Sequence, residues 1–271
     1  LKRSVKAGFE DIEHIKGDPD FTKVRGEDVF QDAVDEVAAL AESKTKDLGK
    51  LTHFSAASML ECHVHLPEGY DPAKAYPLIV GLHGYGSNHD RFNGLWKRFS
   101  DLECIFATPQ APYPFIVGKE MGYSWALRAP SNDAQGRESA DLTEDYVTKV
   151  VRELCKTYKT DGVYLLGFSQ GCAFTYITGL KNPSLFDGLI CFGGWLETDA
   201  IGEDAIKAAK GLRVFIAQGK QDRMVEYDAA VKARDTLMDN GYDVTFYDFE
   251  GGHTVPEDAC HKAVEWIRAG P

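Results

Sequence analysis

The sequence predicts an α/β protein with a mostly parallel central sheet flanked by helices. Two patterns lead there. From residue 52 onward, short and continuously apolar runs alternate with longer segments of helical period, which suits strands buried on both faces. The length of 271 residues, with 44% hydrophobic and 27% charged residues, is also enough for a sizeable core without disulfides or metal.

Residues 1–50 are charged and poor in strand signals. Within them Val29, Phe30, Val34, Val37, Ala38, Leu40 and Ala41 recur at helical spacing, predicting one amphipathic helix of about four turns. A basic, glycine-containing stretch follows from Lys44 to Lys50. One helix makes no core, so residues 1–50 are read as an N-terminal helical arm and 51–271 as the main domain. In that domain strands are predicted at 60–66, 77–82, 103–107, 163–167, 188–193, 213–218 and 243–249. Helices are predicted at 90–99, 140–158, 170–181, 227–240 and 256–268, with Pro256 in the first turn of the last. The segment 108–139, with four prolines and three glycines, is read as loop.

Thirty Lys and Arg against 42 Asp and Glu give a net charge of −12, which argues against nucleic acid and anionic membrane surfaces. The stretch 162–180 lacks charge, but its glycines, serine and glutamine fit a strand, turn and helix better than a membrane span. The six cysteines form no C-x-x-C pair and are expected as reduced thiols, which favours a cytoplasmic location. The chain opens at Leu1, so a removed leader stays open, as does a homodimer.

The chemistry concentrates in a few places. Gly167-Phe168-Ser169-Gln170-Gly171 follows an apolar run and opens a helical one, the context of a nucleophile elbow. A serine needs a base, and His253 stands between the last predicted strand and the last predicted helix. The base needs a carboxylate, and Asp222 lies just past the run RVFIAQG. Asp228 competes, but suits the start of the helix at 227–240. Ser169, Asp222 and His253 follow one another in the order found in α/β-hydrolases. An oxyanion would be held by the backbone N–H of Gln170 and by that of Tyr85 in the turn His83-Gly84-Tyr85-Gly86. His63 and His65 alternate on one strand with no third ligand near in sequence, so no metal is expected, nor any cofactor. His14, His53, His89 and His261 carry no supporting context. Trp125, Trp195, Phe168, Phe115 and Tyr123 fall near strand ends, where a pocket would form, without being assigned to it.

These segments resemble the phospholipase/carboxylesterase family of α/β-hydrolases, which includes acyl-protein thioesterases. The resemblance spans about residues 60–268 and rests on LIVGLHGYG, TPQAP with SWAL, LLGFSQG, QGKQD and GGHTVP. The spacings of 53 residues from Ser169 to Asp222 and 31 from Asp222 to His253 are also similar to that family's. It implies a lidless or lightly covered, cofactor-free serine hydrolase acting on small ester molecules through an acyl-enzyme. Cys172, Tyr85 and the first 50 residues depart from the family pattern. Short acyl esters are the expected substrates. Thioesters and lysophospholipids are the alternative on the same triad, and a ligand-binding relative with negligible turnover is a further one.

Overall fold

The seven predicted apolar runs form one sheet in this computed structural model, which describes residue 16 and residues 21–46, 54–127, 129, 133–209 and 211–270. In chain order the strands are β1 (Cys62–His65), β2 (Tyr76–Leu82), β3 (Ile105–Pro109), β6 (Thr160–Phe168), β7 (Gly188–Phe192), β8 (Arg213–Gly219) and β9 (Asp243–Phe249). Their order across the sheet is β1-β3-β2-β6-β7-β8-β9. Only the edge strand β1 runs antiparallel to its neighbour. Two short strands, β4 (Tyr113–Val117) and β5 (Glu120–Ser124), pair as a separate hairpin.

Period-two geometry explains why the strand sequences are apolar throughout. Leu78, Val80, Leu82, Leu165, Leu189, Val214 and Ile216 point into one core layer. Ile79, Phe106, Leu166, Ile190, Phe192 and Phe215 point into the other. The helices that close the first layer are α3 (Ala134–Thr157), α4 (Gln170–Lys181) and α7 (Tyr227–Asp239), through Val147, Val151, Phe174, Ile177 and Leu237. The second layer is closed by a 3₁₀ segment, Gly94–Leu102, and by α8 (Glu257–Ala269), through Phe99, Ala263 and Ile267. Both faces are covered, as a parallel sheet requires.

Several boundaries differ from the sequence reading. The helix expected at 90–99 is a short α2 (His89–Asn93) capped by Asn88, whose side chain accepts from the Arg91 N–H, and Gly94 then starts the 3₁₀ segment. Helix α3 begins six residues earlier than read, because the Asp133 side chain caps it by accepting from the Gly136 N–H at 2.6 Å. Pro256 is the N-cap of α8 rather than a first-turn residue. The hairpin β4–β5 occupies part of the segment read as loop, turning at Gly118 with φ 64°. Two short helices, α5 (Thr198–Ile201) and α6 (Glu203–Ala208), join β7 to β8.

The chain divides into two compact units, Leu1–Ser58 and Met59–Pro271. The first carries α1 (Asp28–Lys46), longer than the predicted helix at both ends, with the Phe21 and Phe30 rings 5.6 Å apart. The side chains of Leu40 and Ala41, residues 47–50 of the predicted basic stretch, and His14 and His53 lie outside the described residues. No helix among the described residues is long and apolar enough to cross a membrane.

Candidate active site

Strand β6 runs straight into helix α4 with a single residue, Ser169, between them. Its φ of 57° and ψ of −120° are strained for a non-glycine residue and cost about 1–3 kcal/mol. The flanking glycines make this turn sterically possible. A Cβ on Gly167 would lie 2.2 Å from the Gly171 carbonyl oxygen, and one on Gly171 would lie 2.2 Å from that of Leu82. Sharp reversal lifts the serine to the carboxyl edge of the sheet, at the amino terminus of α4.

Two loops at the same edge bring a carboxylate and an imidazole together. The loop after β8 carries Asp222, and that after β9 carries His253. They are stitched by backbone bonds from Lys220 N–H to the Phe249 carbonyl and from Gln221 N–H to the Gly251 carbonyl, both 2.9 Å. His253 Nδ1–H then donates to Asp222 Oδ2 at 2.7 Å. The carboxylate is 1% exposed, and every one of its described partners donates. Met224 N–H and Val225 N–H reach Oδ1 at 2.8 and 3.0 Å, and Gln218 Nε2 reaches Oδ2 at 3.1 Å. Burial alone would raise the Asp222 pKa, but the bonds from Val225, His253 and Met224 outweigh it, and the carboxyl is held below its ordinary value. With Nδ1 committed to Asp222, the Nε2 lone pair of His253 is left for a proton. Its ring lies 4.6 Å from that of Phe168, the neighbour of Ser169. Among the described residues no hydrogen bond joins the Ser169 side chain to His253.

The turn after β2 approaches from the other side. A Cβ on Gly84 would lie 3.3 Å from the Phe168 ring and 3.4 Å from the Ser169 Cβ, so this turn packs directly against the serine. Gly86, at φ 74°, donates its N–H to the Tyr123 carbonyl at 3.0 Å. The turn is held from beneath by His83, fully buried, whose Nδ1–H donates to the Gly84 carbonyl at 2.9 Å. His83 Nε2 accepts from Ala111 N–H at 3.3 Å and from Gln110 Nε2 at 3.4 Å. Burial pushes the His83 pKa down to about 4, so the ring is neutral. The indole N–H of buried Trp125 donates to the His83 carbonyl at 2.7 Å. Opposite the turn, Gln170 opens α4, where no intrahelical carbonyl reaches its N–H.

Beside Ser169 lies a pocket of about 330 Å³ lined by Tyr85, Leu127, Phe174, Trp195 and Glu197 among others. A larger cavity, of about 730 Å³, opens among the starting residues of β2, β6 and β8, at the opposite edge of the sheet. Open α/β sheets bind ligands beyond the carboxyl ends of their strands, so the smaller pocket is the candidate.

Residues 69–270 match the phospholipase/carboxylesterase family. The chain belongs to that family. It is 32% identical over 222 residues to acyl-protein thioesterase 1 of Mycosarcoma maydis, covering 72% of this chain and 90% of that protein. It is 24% identical over 220 residues to carboxylesterase SOBER1 of Arabidopsis thaliana, with the same coverage. Among solved structures, esterase PE8 superposes with a TM-score of 0.65 at 25% identity, over 79% of this chain and all of that one. As a member of the phospholipase/carboxylesterase family the chain is a carboxylesterase-type α/β-hydrolase.

Of the aromatic residues noted near strand ends, Trp195 lines the pocket and Phe168 packs on His253, whereas Trp125 is core. Tyr85 packs on Phe115, with ring centroids 4.6 Å apart. The sequence reading missed three positioning residues: Gln218 under Asp222, and Trp125 and Gln110 behind the Tyr85 turn. They lie within the TPQAP, SWAL and QGKQD segments, but each acts through hydrogen bonds that only the fold creates.

Proposed function

We propose that Ser169, His253 and Asp222 form a catalytic triad, and that the backbone N–H groups of Tyr85 and Gln170 form the oxyanion hole. The observation that carries this reading is the 2.7 Å bond from His253 to a buried carboxylate, beside a serine on a strained strand-to-helix turn. Neutral His253 takes the Ser169 proton on Nε2 as Oγ attacks the acyl carbon. The carbonyl oxygen gains negative charge between the two N–H donors, whose positions need no reorganisation. The imidazolium, stabilised by Asp222, gives its proton to the leaving alkoxide, and the acyl group stays on Ser169. Water then attacks the acyl-enzyme, with His253 again taking and returning a proton. No step uses a metal or cofactor.

A pocket of about 330 Å³ is near the lower end for ligand sites, which supports short acyl esters, about C2 to C6. The net charge of −12 argues against nucleic acid as a partner, and the six free cysteines support a cytoplasmic location. The names of the relatives favour a second reading on the same triad, with a thioester as substrate.

A series of soluble chromogenic esters from C2 to C12 tests both parts of the proposal. The expected kcat/KM maximum is at C6 or below, and Ser169→Ala should lose about 10⁶ in kcat. A maximum at C10 or beyond overturns the chain-length reading, and near-native turnover by Ser169→Ala overturns the triad.

A further inference from the structure

The edge strand β1 brings a second group of functional side chains together, away from the serine. His63 Nε2 lies 2.7 Å from Asp90 Oδ1. His89 Nε2 lies 3.3 Å from Glu61 Oε2 and 3.8 Å from Asp90 Oδ1. The ligand atoms of His63, His89 and Asp90 all fall within 4.8 Å of one another, and the two rings stack at 4.8 Å. Adjacent donors on a tetrahedral zinc ion, with bonds of about 2.0–2.2 Å, stand about 3.3 Å apart. These spacings straddle that edge.

The hydrogen bonds around His89 point the same way. Gln110 fixes the tautomer of His89: its Oε1 accepts from both His89 N–H (3.1 Å) and the ring Nδ1–H, while its amide NH₂ faces His83 Nε2 and the Ala111 carbonyl. The buried His89 ring is thereby held with Nε2 turned toward two carboxylates. One ring nitrogen and two carboxylate oxygens converging in this way can share a cation. An outer hydrogen bond of this kind, from the second ring nitrogen, is what orients histidines that ligate metal. Two imidazoles and two carboxylates also make a neutral site around a divalent ion, and the mix of nitrogen and oxygen donors suits zinc. His65, the other histidine of β1, bonds Asn93 at 2.8 Å and stacks on Trp96, so it is not part of the group.

We propose that Glu61, His63, His89 and Asp90 bind one zinc ion, which clamps β1 to the start of α2. Sequence spacing hid this site, because the third ligand of His63 comes from a segment 26 residues on. Gln110 links His89 of this group to His83 under the Tyr85 turn. The clamp takes no part in the chemistry proposed for Ser169.

The test is calorimetric titration of the chelator-treated full chain with ZnCl₂, alongside thermal melts with and without ZnCl₂. His63→Ala and Asp90→Asn are the test variants. His63 is half-buried on an edge strand, at 43% of the side chain exposed, and Asp90 is exposed at 70%, so both variants should fold. The expected result is saturation at one ion per chain with a rise in Tm, and a loss of affinity of about tenfold or more in each variant. Binding of equal affinity and stoichiometry in the double variant overturns the proposal. So does the absence of any saturable event in the wild-type chain, which would leave the two histidines as ion-pair partners of the carboxylates. Ester turnover is not the readout, so a failed triad would leave this result unaffected.

Discussion

Replacing Asp222 by asparagine tests the base most sharply, because the surrounding bonds dictate how the amide must sit. Met224 N–H and Val225 N–H both point at Oδ1, so that position must remain an oxygen. The amide nitrogen is then forced to the Oδ2 position, facing His253 Nδ1 and Gln218 Nε2. Gln218 cannot turn to accept from it, because its own NH₂ also donates to the Val225 carbonyl at 3.0 Å. His253 must therefore accept at Nδ1 and carry its proton on Nε2, where it can no longer take one from Ser169. Loss of the correct tautomer lowers kcat by about 10⁴, equivalent to about 5 kcal/mol of transition-state stabilisation. Steady-state turnover of a soluble acyl ester at saturating substrate reads this directly, with circular dichroism to show that the fold persists. Asp228→Asn, in the first turn of α7, is the control and should change kcat by no more than a few-fold. If Asp222→Asn keeps kcat within about tenfold of wild type, the tautomer argument is wrong.

Two further outcomes follow from the backbone and from the buried ring. His83 is neutral when folded, with a pKa of about 4, and takes a proton at about 6.5 when unfolded. The unfolded chain thus binds the proton first, and stability present above pH 6.5 is lost as the pH falls toward 4, by about 3 kcal/mol. Melting curves between pH 7 and 4.5 should show this fall, and His83→Asn should flatten it; parallel curves would contradict the neutral, buried ring. Gly171→Ala drives a Cβ into the backbone carbonyls of Leu82 and His83, at 2.2 and 2.7 Å, neither of which can yield without moving the strand that carries the Tyr85 turn. It should lower Tm and abolish turnover together, whereas a native melt would mean that the elbow is looser than described.

Legibility tracked how local each signal is. All seven strands of the main sheet were readable, because a strand buried on both faces is apolar at every position, as in β7, Gly188–Phe192. The placement of Ser169, Asp222 and His253 at one edge of the sheet was legible because each stands just past an apolar run. The hairpin was missed because Pro114 and Gly122 look like loop residues, although the pair Gly118-Lys119 is a two-residue turn signal. The first two turns of α3 were missed because Ala134–Ser139 is polar and only the Asp133 cap announces them. The grouping of His63 with His89 was invisible for a different reason. It depends on the antiparallel register of β1 against β3, which no spacing in the sequence encodes.

The central claim, that Ser169 is the activated nucleophile, is tested most directly by a fluorophosphonate, which bonds only to a serine whose proton a base removes. Peptide mass spectrometry after labelling should find one adduct per chain, on the peptide carrying Gly167-Phe168-Ser169-Gln170-Gly171, and none in Ser169→Ala. An adduct on any other residue, or ester turnover by a chain that takes up no label, would contradict the account.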